Sequence, residues 1–366
     1  MTNFAYLCKD MCGINARIPF SMKRSSILII YTGGTIGMKT DEATGALVPF
    51  DFSGIYEEFP SLKRLKVDIE VLTIKPPIDS SNITVENWVD MARLIRDNYS
   101  KYDGFVVLHG TDTMSYSAAA LSFMLENLAK PVIFTGSQIP IGILRTDGRE
   151  NLITAIEIAG ARNEEGNPIV PEVALYFQNR LFRGNRTTKH SAEALNAFAS
   201  FNYHALADVG VSIQYNTQYI APYAPDFSDE FRISESMSND VVVIKLFPSI
   251  RPATLRAMLL ECGARGVVLE TYGAGNAPTS EWFVDLVKEA VERGIVVVNV
   301  SQCKDGAVQM HLYETGLALQ EAGVVSGHDM TIEAAVTKLM YVLGKNLPLA
   351  ETLDLMRRPL RGEFTL

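Results

Sequence analysis

The sequence predicts an α/β protein: a mostly parallel sheet flanked by helices, with the chain divided into two parts near residue 225. Three observations carry this. Short β-branched runs alternate with segments of helical periodicity. Several of those runs are continuously apolar, as strands buried on both faces of a parallel sheet must be. A polar, proline-containing stretch at 215–239 then breaks the pattern, which restarts at Val241. The 366 residues allow two domains or one large one. The expected organisation is an extension over 1–21, an N-terminal α/β domain over 22–214, a linker over 215–239 and a C-terminal α/β domain over 240–366.

Taken in order, the first part should hold strands over 27–31 (ILIIY), 69–74, 105–109, 132–135 and 173–177, and the second strands over 241–246, 267–270 and 295–300. Helices are expected over 84–99, 115–128 and 150–161, then over 253–262, 281–293 and 330–343. Thr84 suits the start of its helix, although Glu86 falls one position short of a capping box. Cys262, on a helical pattern, reads as a core residue. Arg145, Asp147 and Asn151 read as a buried polar brace, because buried charges need partners. His109, at the end of a buried strand, reads as a satisfied core histidine.

Composition bounds the function. Apolar residues make up 47% and charged residues 20%, enough for a sizeable core and too apolar for disorder. Lys and Arg total 33 against 42 Asp and Glu, a net charge of -9. Such a surface repels phosphate backbones and anionic lipid, so no nucleic-acid or membrane partner is expected. Four cysteines are too few for a disulfide scaffold. Cys8 and Cys12 lack the neighbouring ligands that zinc requires, so no metal is expected. No run approaches the ~20 apolar residues of a membrane span. The first residues lack a basic start followed by an apolar block, so reduced thiols and a cytoplasmic location are expected. Met22 opens MKRSSILIIY, which sets residues 1–21 apart.

Chemistry gathers at three strand ends. The first strand runs into Thr32-Gly33-Gly34-Thr35-Ile36-Gly37, the 105–109 strand into Gly110-Thr111-Asp112-Thr113, and the 132–135 strand into Gly136-Ser137-Gln138. Ligands bind beyond the carboxyl ends of parallel strands, so neighbouring strands would bring these hydroxyls into one crevice. Gly34 and Gly110 lack Cβ atoms and let backbone N–H groups approach a ligand. TGGTIG is not a dinucleotide fingerprint: Thr32 replaces the first glycine and no helix follows to hold a pyrophosphate. The residues after Thr35 suit a flap that closes over a substrate. A threonine nucleophile needs a base or a relay, for which Asp112 and Lys189 (in FRGNRTTKH) are the candidates.

These motifs together resemble the bacterial-type L-asparaginases and related asparaginase/glutaminase amidohydrolases. TGGTIG (32–37) and HGTDT (109–113) match the two signatures. FTGSQIP (134–140), RTDGRENL (145–152), NRLFRGNRTTK (179–189), YGAGNAP (272–278) and AGVVSGHDMTIEAAVTKL (322–339) extend the likeness over about residues 25–365. SQIP and NRLFRGNRTTK look most like the cytoplasmic type I branch. The resemblance implies a larger N-terminal and a smaller C-terminal domain, in homodimers or homotetramers with sites near subunit interfaces. It implies hydrolysis of L-asparagine to L-aspartate and ammonia through an acyl-enzyme, with no cofactor. Thr35 would be the nucleophile, with Thr111, Asp112 and Lys189 as its catalytic partners. Ser80, with Ser81 beside it, would hold the substrate α-carboxylate, and Asp112 the α-ammonium. Gly34, Gly110 and Ser137 would line the substrate, and Asn276 would reach a neighbouring subunit's site. The flap lacks the tyrosine many relatives carry; water or another tyrosine would take its place, and Tyr313 is one candidate, against a half-buried packing role. Glu270 stands where some type I relatives have an effector-binding arginine, while Cys303 is in place. Asparagine-type activation is therefore not expected. Glutamine hydrolysis is the near alternative, since one methylene discriminates by only ~1–3 kcal/mol. A non-catalytic amino-acid sensor is the distant one.

Overall fold

The structure is a computed structural model and describes residues 24–40, 47–49, 55–224, 230–312 and 314–366. The extension over 1–21 and Tyr313 lie outside the described residues, as does much of the expected flap. Two sheets organise the chain. The larger has eight strands: β1 (Ser25–Tyr31), β2 (Val67–Thr73), β3 (Gly104–Leu108), β4 (Val132–Thr135), β5 (Val173–Phe177), β6 (Arg180–Arg183), β7 (Ala207–Val209) and β8 (Ile213–Tyr215), in the spatial order β8-β7-β6-β5-β4-β3-β1-β2. From β2 across to β5 every pairing is parallel, and β5 to β8 form an antiparallel meander.

The sequence explains the parallel part. Along β1, Ile27, Ile29 and Tyr31 face one core, while Leu28 and Ile30 face the other. Both faces are apolar, so the strand fits only between two helical layers. Helices α1 (Val85–Asn98) and α2 (Met114–Met124) cover one face, and α3 (Gly148–Gly160) covers the other. α1 is amphipathic, burying Trp88, Val89, Met91, Ala92 and Ile95. α2 is buried nearly all round, because a second helix from the C-terminal half lies against it.

The smaller sheet is wholly parallel: β9 (Val241–Lys245), β10 (Gly266–Thr271), β11 (Val296–Ser301) and β12 (Val325–Ser326), side by side in that order. Short helix α4 (Pro252–Arg256) follows β9. α5 (Glu281–Glu292) packs on one face through Phe283, Leu286, Val287 and Ala290. α6 (Glu314–Glu321) leads to β12. α7 (Ile332–Gly344) and α8 (Leu349–Arg357) cover the opposite face. α7 also touches the larger half: Met340 joins the α1–α2 core, and Tyr341 stacks on Phe123 at 5.9 Å. Beneath α7, Lys338 and Glu363 form an ion pair at 2.7 Å with both side chains wholly buried. Lys338 also donates to the Met356 and Arg358 carbonyls, and Glu363 accepts the Leu360 and Arg361 N–H groups. Every charged atom is thus answered, as burial requires.

Several details depart from the sequence reading. The 115–128 helix stops at Met124, because Leu125–Glu126 turns extended and pairs with Arg232–Ile233. That pairing sits within the expected linker. There Phe231 stacks on Tyr99 at 3.8 Å, and Glu235 bridges Arg93 and Arg96, so the connection is docked on α1. The 253–262 helix changes to a π turn over Ala257–Glu261, which leaves Cys262 exposed instead of in the core. Asn87, not Glu86, accepts the Thr84 N–H, at 2.9 Å. Arg145 is exposed and takes no part in the brace expected of it. Asp147 and Asn151 do brace: the Asp147 carboxylate accepts the Gln138 and Ile139 N–H groups, and Asn151 donates to Gly136 O and accepts from Gln178 N. Among the described residues no helix is long and apolar enough to cross a membrane.

Candidate active site

Register sets the site. Tyr31 pairs with Leu108, and Leu108 with Thr135, so β1, β3 and β4 end level with one another. The chain leaves β1 for β2 on one side and continues from β3 toward β8 on the other. The crevice between β1 and β3 is therefore the switch point of the sheet, where open α/β folds bind ligands.

Backbone bonds then clamp the loops together. Thr32 donates its N–H and hydroxyl to Leu108 O at 3.0 and 2.9 Å, and Ile78 N donates to Thr32 O at 2.7 Å. Gly34 has φ +87°, and a Cβ there would lie 2.5 Å from both Cα and N of Gly110. A Cβ on Gly110 would in turn lie 2.5 Å from Ser80 Oγ. Glycine is required at both positions because three loops touch there. Thr35 follows at once, opening a single 3-10 turn (Thr35–Gly37), with its side chain exposed. After it, Met38–Thr40 pairs antiparallel with Leu47–Pro49.

Thr111 sits on the adjoining loop between two partners. Lys189 Nζ donates to its hydroxyl at 2.9 Å, and the hydroxyl donates to Gln138 Oε1 at 3.1 Å. The same ammonium reaches Asp112 Oδ1 at 2.7 Å. Gln138 is held by donating to the Ala192 and Ala194 carbonyls, each at 3.2 Å. Lys189 therefore fixes which way the Thr111 proton points, and leaves the exposed Asp112 side chain facing solvent. Its own strand, Thr188–Lys189, pairs with Phe198–Ala199.

Ser80 is buried and opens the turn Ser80–Asn82. Asp79 organises that turn by accepting the Ser81 N–H and hydroxyl, which hold its carboxyl below the usual range. Ser80 O accepts from Thr113 at 2.7 Å, which ties the turn to the start of α2. Ser137 is buried, and its hydroxyl has no hydrogen-bond partner among the described residues. His109 is wholly buried and neutral, its pKa lowered to about 4 by burial. Its Nδ1 meets Gly110 O at 2.7 Å and its Nε2 meets Ser117 Oγ at 2.9 Å, as a satisfied core histidine should.

The structure thus brings together the loops of Thr35, Gly34, Gly110, Thr111, Asp112, Lys189, Ser80 and Ser81. Asn276 lies on the other sheet, in a tight turn after β10 closed by reciprocal backbone bonds with Tyr272. Two residues beyond those expected bond to these loops. Gln138 was visible beside Ser137 at the third strand end. Glu333 accepts from Thr188 at 2.5 Å and gave no signal, because the contact spans 145 positions. Among the described residues no group of three or more His, Cys, Asp or Glu side chains could hold a metal.

Residues 26–221 match the N-terminal asparaginase model and residues 240–356 the glutaminase/asparaginase C-terminal domain model. L-asparaginase 1 of Escherichia coli K12 is 43% identical over 345 residues, covering 94% of this chain and 99% of that protein. A mouse protein named 60 kDa lysophospholipase is 42% identical over 93% of this chain, which spans 62% of that longer protein. The crystal structure of L-asparaginase I from Vibrio cholerae superposes with a TM-score of 0.85 at 42% identity, covering 94% of this chain and all of that one. Matched by both models and by relatives along nearly its whole length, the chain belongs to the asparaginase family.

Proposed function

We propose that this protein is an L-asparaginase, hydrolysing L-asparagine to L-aspartate and ammonia. The observation that carries the reading is the bonding of Lys189 to both Thr111 and Asp112, beside the glycine contact that seats Thr35 against the same loop. In this reading Thr35 Oγ attacks the side-chain amide carbon and gives up its proton. The tetrahedral intermediate expels ammonia, which takes up that proton, and water then cleaves the aspartyl ester to free Thr35. Backbone N–H groups of the Gly34 and Gly110 loops meet the developing oxyanion. Lys189 orients Thr111 for proton transfer. Asp112 pairs with the substrate α-ammonium, and Ser80 with Ser81 grips the α-carboxylate, while Ser137 offers its unpartnered hydroxyl.

We further propose a homo-oligomer in which Asn276 serves a neighbouring subunit's site, and a cytoplasmic setting that suits the exposed free thiols of Cys262 and Cys303. An ammonia-release assay on asparagine and glutamine, with fatty-acid release from a lysophospholipid measured alongside, tests the activity. Asparagine turnover should dominate, Thr35→Ala should abolish it while asparagine still binds, and Lys189→Met should cut kcat at least 100-fold. Near wild-type turnover by Thr35→Ala would refute the assignment.

A further inference from the structure

The segment that delivers Lys189 is gripped by the C-terminal half along its length. Asn185 donates to Arg361 O at 3.0 Å, and Arg186 donates to Gly362 O at 2.8 Å and pairs with Asp329 at 2.9 Å. The last grip is one residue from Lys189: Thr188 donates to Glu333 Oε1 at 2.5 Å. Successive side chains in an extended strand point to opposite faces. Thr188 therefore reaches back to α7 while Lys189 reaches forward to Thr111 and Asp112. Glu333 lies in the first turn of α7, where Thr331 caps the helix by accepting the Ala334 N–H at 3.1 Å, and burial pushes the Glu333 carboxyl pKa up. The Glu333 side chain is 5% exposed, and its Oε2 has no hydrogen-bond partner among the described residues. Burying a carboxyl with one oxygen unanswered is costly. That cost is accepted where the C-terminal half touches the lysine strand.

We infer that Glu333 is a positioning residue of the reaction: through Thr188 it sets the reach of Lys189 to Thr111 and Asp112, so the smaller domain fixes the geometry of a catalytic group on the larger one. The inference rests on the asparaginase reading above. Two lever arms meet in a single strand of two residues, so release at Thr188 is felt at Lys189. Loss of the grip acts on the chemical step more than on substrate capture, because Ser80 and Ser81 hold the α-carboxylate from a different loop and Asp112 is anchored by its own strand end, with Lys189 only one of its neighbours.

The test uses the full-length protein, first shown to release ammonia from asparagine. If wild type releases none, the activity reading fails and not this inference. Glu333→Ala and Thr188→Val should each lower kcat about tenfold with KM changed less than threefold, and Thr188→Ser, which keeps the hydroxyl, should restore kcat. The double variant Glu333→Ala/Thr188→Val should be no worse than either single one, because the two side chains form one contact. A crystal structure of Glu333→Ala should show Lys189 Nζ beyond hydrogen-bond distance of Thr111. The inference falls if the single variants keep kcat within twofold, if their losses multiply in the double variant, if Thr188→Ser is as impaired as Thr188→Val, or if Lys189 is unmoved in the crystal.

Discussion

Lowering the pH from 7 to 5 is expected to cost the fold about 2 kcal/mol through His109 alone. The ring lies beneath the site, wholly buried, at the end of β3. With one proton, on Nδ1, all its polar atoms are answered: Nδ1–H donates to Gly110 O at 2.7 Å and Nε2 accepts from Ser117 at 2.9 Å. Ser117 Oγ already accepts the indole N–H of Trp88 at 2.9 Å. A second ring proton would point at that occupied oxygen, and the new charge would sit in a dry core. Burial accordingly pulls the pKa from 6.5 down to about 4. Because the folded value lies below the unfolded one, the unfolded chain takes the proton first. The contribution is complete above about pH 6.5, shrinks as pH falls, and stops changing below about 4. Over the whole window it amounts to about 3 kcal/mol, of which about 2 is lost by pH 5. Urea unfolding of wild type and His109→Gln at both pH values isolates it, since other titrating groups cancel in the comparison. Wild type should lose about 2 kcal/mol more than the variant between pH 7 and 5. Equal losses would refute the reasoning.

Gly34→Ala should abolish most activity and lower Tm, because its Cβ would meet the Gly110 backbone at 2.5 Å with φ at +87°; turnover within twofold of wild type would contradict this. Lys338→Met strands the wholly buried Glu363 charge and should cost ~3–5 kcal/mol in urea unfolding, much of it recovered when Glu363→Gln is added. A single-variant loss under about 1 kcal/mol would show that water reaches the pair. With Glu270 at the end of β10, the rate against asparagine concentration should be hyperbolic, and a Hill coefficient well above one would overturn that expectation.

The parallel half of the large sheet was legible because its strands must be apolar on both faces. Continuous runs such as ILIIY leave few other readings, and the strands at 132–135 and 173–177 match the structure residue for residue. The antiparallel meander was not legible. Arg180–Arg183 reads RLFR and Ala207–Val209 is three residues long, too short and too polar for periodicity to show. The overlong helix at 115–128 has a similar origin: Leu125 and Leu128 continue the apolar pattern, while pairing with Arg232–Ile233 draws the backbone out straight. At the site, the residues on strand ends were legible because glycine and hydroxyl side chains cluster where a parallel sheet binds ligands. Glu333 was not, since its importance comes from a meeting of distant segments that no local pattern records.

Helix α7 has a consequence for how anything enters the crevice. It is packed at once on its own sheet and on α2, with Met340, Tyr341 and Phe123 sharing the seam. Swinging the two halves apart like a clamshell would wet each of those side chains, at roughly 1.5–3 kcal/mol apiece. Tyr341 would also lose its hydroxyl bond to Glu126. That cost keeps the frame shut behind the crevice and favours traffic through its rim.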